Sequence, residues 1–251
     1  MEPFYTQTFT LTDLHVDRYR RLKPSVLLYF TQEVSGNHAA LLGTDWETLA
    51  EKNLFWAIIR HRVQISRLPR HGETIRIETW PMPTTRVAYP RSIVAYDEGG
   101  NVLFRSISLW VLMDLDSRSM ILPGKSGISV AGTLRGMELA SPTGIVAKPL
   151  NNSRSRAVCF TDLDRNGHMN NTRYMEWCSD LLPSGFHHSH TPREFTICYH
   201  AEALEGENLE LHYELKEGAM LQVDAWRKQE NEANPQSRVF TAQVQYESDI
   251  L

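Results

Sequence analysis

The feature that most constrains this chain is that it is written twice. "DRYRRLKPSVLLYFTQEV" (17–34) lies over "DRNGHMNNTRYMEWCSDL" (164–181) at an offset of 147, with Asp17 and Arg18 on Asp164 and Arg165. The apolar positions coincide as well: Leu27 on Tyr174, Phe30 on Trp177, Val34 on Leu181. In the second copy Tyr174, Trp177, Cys178, Leu181 and Leu182 recur at i, i+3, i+4, i+7 and i+8, the stripe of an amphipathic helix starting near residue 170. Pro183-Ser184-Gly185 stops it, and Asn170 and Asn171 are its expected N-caps. A duplicated unit has the same apolar faces to bury twice, so one answer must serve both halves.

A second match, at an offset of 134, sets "RHGETIRIETW" (70–80) over "LEGENLELHYE" (204–214), Gly72 on Gly206 and Glu73 on Glu207. Both alternate apolar and polar residues behind a glycine turn. That is the pattern of a half-buried antiparallel strand, with Arg76 and Glu78 on the polar face. The drop in offset places about 13 extra residues in the first copy, at "HAALLGTDWETLAEKN" (38–53). Strand-like runs at 88–114 and 219–247 close the copies, turning at 97–101 and at the polar 227–237. Each unit thus reads as a strand, one helix of about four turns, and an antiparallel sheet across which that helix can lie. The expected class is α+β, two tandem hotdog units, each a helix wrapped by a curved sheet. Boundaries fall at 1–121 for the first unit, 122–152 for a Gly-, Ser- and Pro-rich linker for which partial order is an open alternative, and 153–251 for the second.

Bulk properties exclude several classes. A net charge of −4 lacks the basic excess that nucleic acid demands. The three cysteines, Cys159, Cys178 and Cys198, show no CxxC spacing and suit a reducing interior. No secretory signal and no membrane-length apolar run is visible, so a cytoplasmic protein is expected. "HHSH" (187–190) lacks a second ligand group at zinc spacing and reads as a polar loop, so neither metal nor cofactor is expected. Trp56, Trp80 and Trp110 read as core, and Arg60, Arg62, Arg67 and Arg70 as solvated charge.

The chemistry concentrates in "FTDLDRNGHMNNTRYMEW" (160–177), where Asp162, Asp164, Asn166 and His168 stand at alternate positions before the helix. Asp and Asn are ordinary capping residues, which is the plain reading for Asp162. The catalytic reading comes from a resemblance. "DLDRNGHMNNTRYMEW" resembles the signature of the acyl-[acyl-carrier-protein] thioesterases, tandem-hotdog hydrolases. "FTICYHAEALEGENL" (195–209) and "FWAIIRHRVQISRLPRHGETIRIETW" (55–80) extend the likeness to about residues 4–247. In that family a catalytic Glu follows the motif His by 34 residues, and Glu202 does so here. The resemblance implies a hydrolase that ends fatty acid biosynthesis by releasing fatty acid from acyl carrier protein, with Asp164, Asn166, His168 and Glu202 in the active site. It departs in one place: many plant members carry a Cys after that Glu, where this chain has Ala203.

Thioester cleavage needs an activated water and a hold on the oxyanion. Glu202 is expected as general base (or, less favoured, nucleophile), His168 as the group orienting the water and sharing its proton, Asp164 as the loop anchor that polarises the site and Asn166 as a donor. Asp164 is the alternative base, since the base is whichever carboxylate is held less solvated beside the water. The amides of Gly167 and Met169, at the helix start, are expected to face the carbonyl oxygen. The first copy has Tyr19, Arg21 and Leu68 where the second has Asn166, His168 and Glu202, so one site per chain is expected, the first unit shaping the acyl pocket. The alternatives are an acyl-CoA thioesterase, a hotdog hydratase or dehydratase, and a non-catalytic acyl-binding module. The expected partner is acyl carrier protein, and either a monomer or a homodimer is compatible.

Overall fold

The computed structural model describes residues 3–228 and 237–249 and divides the chain into two compact units at Pro142/Thr143. The turn expected at 227–237 falls mostly outside the described residues.

The first unit runs β1 (Tyr5–Thr10), α1 (Pro24–Leu41), α2 (Trp46–Ala50), β2 (Leu54–Ile65), β3 (Thr74–Pro81), β4 (Tyr89–Tyr96) and β5 (Val102–Asp114). It closes with the short β6 (Met120–Ile121) and α3 (Pro123–Ser126). Its sheet order is β1-β3-β4-β5-β2, every pair antiparallel, with β6 on β5. The second unit runs β7 (Asn152–Ala157), α4 (Arg173–Ser179), α5 (Ser184–Ser189), β8 (His190–Tyr199), β9 (Asn208–Lys216), β10 (Met220–Arg227) and β11 (Arg238–Ser248). Its order, β7-β9-β10-β11-β8, repeats the first with each strand in the corresponding place.

The helix of each unit buries the stripe that its spacing dictates. Pro24 opens α1 with its fixed φ, and Leu27, Phe30 and Val34 are each no more than 1% exposed. Phe30 stacks on Phe9 of β1 at 4.2 Å. In the second unit Tyr174, Trp177 and Cys178 are buried against the sheet, Tyr174 meeting Phe240 edge-on at 4.7 Å. The expected four-turn helix is met only by α1; α4 has 7 residues, because Pro183 ends the helix and α5 restarts after it. The start also differs. Thr172 is the N-cap residue, and Asn170 acts from two residues earlier, its Oδ1 accepting the Thr172 amide at 2.9 Å and hydroxyl at 2.8 Å. The extra residues of the first copy lengthen α1 and build α2, whose Leu49 joins Leu54, Tyr89 and Leu112 in a separate small core.

The polar face of β3 is covered toward its C-terminal end, while Arg76 stays partly exposed. Glu78 is 7% exposed, held by Arg76 and by Arg135 Nη1 at 2.7 Å, and Trp80 is fully buried with its Nε1 donating to Glu138 Oε1 at 3.0 Å. The reason is that 122–152 is not a slack connector. From 128 to 150 it has no helix or strand, yet it lies against the strands as a strap: Thr133 donates to the Pro81 carbonyl, and Arg60 and Arg62 donate to the carbonyls of Pro142 and Ala140. Beyond Pro142 it lies on the second unit instead, where the Val146 carbonyl accepts from Gln222 Nε2 at 3.3 Å. No helix among the described residues is long and apolar enough to cross a membrane.

Candidate active site

The motif loop between β7 and α4 is a device both copies share. In the second unit the Asp164 amide donates to the His168 carbonyl at 2.8 Å, and Asp164 Oδ1 accepts the Asn166 amide at 2.8 Å. In the first, the Asp17 amide donates to the Arg21 carbonyl at 2.8 Å, and Asp17 Oδ1 accepts the amides of Tyr19 and Arg21. The tight turn inside it needs a left-handed residue: Gly167 has φ +79°, and Arg20 takes φ +64° at the matching place. Asp164 is therefore first a loop anchor, the role Asp17 plays in a copy without the other polar groups. Asp162 is buried and structural: it receives the Cys159 amide at 3.0 Å and pairs with Arg173 Nε at 3.3 Å.

The loop is pinned to the segment before β9. Met169 donates to the Ala203 carbonyl at 2.8 Å, and His168 bridges to Leu204. The first copy repeats this with Leu22 on the Pro69 carbonyl at 2.8 Å and Arg21 bridging to Arg70. That register sets Leu68 opposite Glu202, as the alignment of the two copies expects. Here the copies part. Glu202 Oε2 lies 3.1 Å from His168 Nε2, with the imidazole 12% and the carboxylate 42% exposed. Leu68 is buried, and Arg21 turns back onto Asp17 at 3.1 Å.

The expected oxyanion amides are corrected by the backbone. Gly167 N–H is spent on the Asp164 carbonyl at 3.0 Å and Met169 N–H on Ala203, so neither faces a substrate. The Asn166 carboxamide is exposed and has no partner among the described residues. Burial pushes the Cys178 thiol up to about 12, which makes it inert as a nucleophile. The Tyr174 hydroxyl is also driven up, by burial first and then by the carboxylates of Asp164, Glu207 and Glu202 around it. Of "HHSH", His187 Nε2 meets the Ser179 carbonyl at 2.9 Å and His190 stacks on Phe186 at 4.2 Å, contacts that tie α5 to the end of α4 and the start of β8.

One residue beside this site carries no local signal. Arg227 Nη2 donates to the Glu202 carbonyl at 2.7 Å, and its Nε pairs with Glu207 Oε1 at 2.9 Å. Glu207 repeats Glu73 in the alignment, but the cation that meets it comes from another strand, and no spacing rule links them.

Comparison with known proteins places these observations. The family model described as the acyl-ACP thioesterase N-terminal domain matches residues 2–122, and that described as the C-terminal domain matches 148–248. The chain is 26% identical over 216 residues to a palmitoyl-acyl carrier protein thioesterase of Gossypium hirsutum, covering 79% of this chain and 52% of the relative. It is 26% identical over 213 residues to a dodecanoyl-[acyl-carrier-protein] hydrolase of Cinnamomum camphora, covering 79% and 56%. The chain thus spans about half the length of the curated relatives it matches. Among solved structures it is similar to an acyl-ACP thioesterase from Bacteroides thetaiotaomicron, with a TM-score of 0.87, 25% identity and 98% of each chain covered. It shares the fold of a 12:0-ACP thioesterase from Umbellularia californica, with a TM-score of 0.82, 22% identity and 99% of each chain covered.

Proposed function

The chain belongs to the acyl-ACP thioesterase family, and from that premise we propose that it hydrolyses the thioester of fatty acyl-[acyl carrier protein] to free fatty acid and carrier thiol. The observation that carries the reading is the 3.1 Å pairing of His168 Nε2 with Glu202 Oε2, in the unit matched by the C-terminal family model and absent from the other copy.

In this reading Glu202 is the general base. Asp164 already has one carboxylate oxygen accepting the Asn166 amide, whereas Glu202 is held against an imidazole and open to water. Glu202 takes a proton from a water that His168 orients, and the water oxygen attacks the thioester carbonyl carbon. The exposed Asn166 carboxamide donates to the carbonyl oxygen as it gains charge, a task the amides of Gly167 and Met169 cannot perform. Collapse expels the carrier thiolate, which takes up the proton Glu202 holds. Ala203 excludes a cysteine nucleophile at the position after the base.

The test is thiol release from acyl carrier protein and CoA thioesters of graded chain length. Wild type is expected to release thiol from the carrier thioester. Glu202→Gln and His168→Ala are expected to lower kcat by about 10²–10⁴-fold, the usual worth of a positioned acid–base group, with the melting temperature kept. Activity at wild-type level in both variants overturns the assignment, and activity confined to CoA thioesters replaces the carrier protein as substrate.

A further inference from the structure

Building on the thioesterase reading, we propose that Arg227 is a positioning residue that sets the height of the Glu202 carboxylate from behind, through its backbone carbonyl.

The turn that follows the base position is tied by a glutamate in both copies. In the first, Glu73 Oε1 accepts the Arg70 amide at 2.7 Å; in the second, Glu207 Oε2 accepts the Leu204 amide at 3.0 Å. Each glutamate needs a cation, and the copies supply it differently. In the first copy Arg67, within the loop, spends Nη1 and Nη2 on the two oxygens of Glu73, both at 2.8 Å. The pinned register puts Ala201 where Arg67 stands. The cation of the second copy comes from the end of β10: Arg227 pairs with Leu209 there, so one step past Tyr96 in the first copy the matching residue is Asp97. A loop arginine facing a strand aspartate, 3.7 Å apart, has become a loop alanine and a strand arginine.

The relocation changes what the guanidinium can reach. Arg67 sets both terminal nitrogens on Glu73 and faces Asp97 with the same edge. Arg227 meets Glu207 through Nε and Ser237 Oγ through Nη1 at 2.6 Å, leaving Nη2 for the Glu202 carbonyl at 2.7 Å. A charge-assisted bond to that carbonyl fixes the backbone from which the base projects. Misplacement of a reacting group by about 1 Å costs on the order of 10²-fold in rate. The copy that needs no base keeps the structural ion pair without this bond.

The experiment separates the two bonds of Arg227. Arg227→Ala is expected to lower kcat about 10–100-fold with KM within about twofold. Arg227→Ala combined with Ala201→Arg restores the first copy's way of tying the glutamate, so it is expected to recover the melting temperature but not kcat. Glu207→Gln breaks the ion pair alone and is expected to lower the melting temperature while keeping kcat within about threefold. The imidazole ¹H–¹⁵N resonances of His168 report Glu202 without turnover; they are expected to shift in both Arg227→Ala variants and stay in Glu207→Gln. Recovery of kcat together with stability in the double variant, or unmoved His168 resonances in Arg227→Ala, overturns the proposal. Failure of wild type to release any thiol overturns the hydrolase reading instead, and the resonances still decide the clamp.

Discussion

His61 on β2 sits inside the first unit, its Nε2 2.6 Å from Ser106 Oγ and its Nδ1 buried with no hydrogen-bond partner among the described residues. Burial pushes this imidazole down to about 3, so it stays neutral in the folded protein. An unfolded chain's histidine titrates near 6.5. Between those values the unfolded state binds a proton that the folded state refuses, so stability is full above about pH 6.5 and declines as pH falls. A single such group contributes a slope of up to about 1.4 kcal/mol per pH unit. His61→Gln keeps a partner for Ser106 and does not titrate. Its melting temperature is expected to fall less than that of wild type between about pH 7 and about pH 5; parallel curves would mean that other groups set the acid limit. His168, by contrast, is partly exposed and faces the Glu202 carboxylate.

The strap between the β6–α3 corner and β7 is the element whose nature changed most between sequence and structure. Its composition reads as a linker, yet it supplies Arg135 to Glu78, Glu138 to Trp80, and a cation over the rings of Phe4 and Trp80 at 4.2 and 4.8 Å. Gly132 is where it comes closest to the sheet: a Cβ there would overlap the Met82 carbonyl and the Pro83 nitrogen. Backbone cannot give way as a flexible side chain can. Gly132→Ala is expected to lift the strap and cost about 1–3 kcal/mol. Faster proteolytic cleavage between 128 and 142, with a lower melting temperature, checks it; unchanged cleavage would show that the strap adapts.

At the scale of the molecule the duplication makes each copy a control for the other. Arg21 and His168 occupy the same place in the same loop, one turned onto Asp17 and the other onto Glu202. Arg21→Ala removes the partner of a half-buried carboxylate and is expected to cost about 1–3 kcal/mol of stability with kcat unchanged. His168→Ala is expected to do the reverse. Chemical denaturation and initial rates measured on both variants decide it, and a matching loss of rate in Arg21→Ala would mean that the first loop also serves the reaction.

The repeat and the helix stripes were legible in the linear chain, since each rests on local spacing or on matching one copy to the other, whereas Glu202 was set beside His168 by the family resemblance and lies 3.1 Å from it. Leu68 in the place of Glu202 was legible too, since the offset of 134 predicts it and the pinned registers repeat it. Periodicity tells which residues of a strand share a face but not what covers that face. Trp80 was expected in the core, but the burial of Glu78 on the same face emerged only with the strap that lies over it. The same limit hid the occupied amides of Gly167 and Met169, because a backbone donor's partner is settled by the chain opposite it. It also hid Arg227, whose reach to Glu202 depends on two strands meeting in space. Local pattern encoded the elements, and likeness to a family singled out the candidate polar groups; which surfaces are covered, and which donors remain free of the backbone, was decided by tertiary contact.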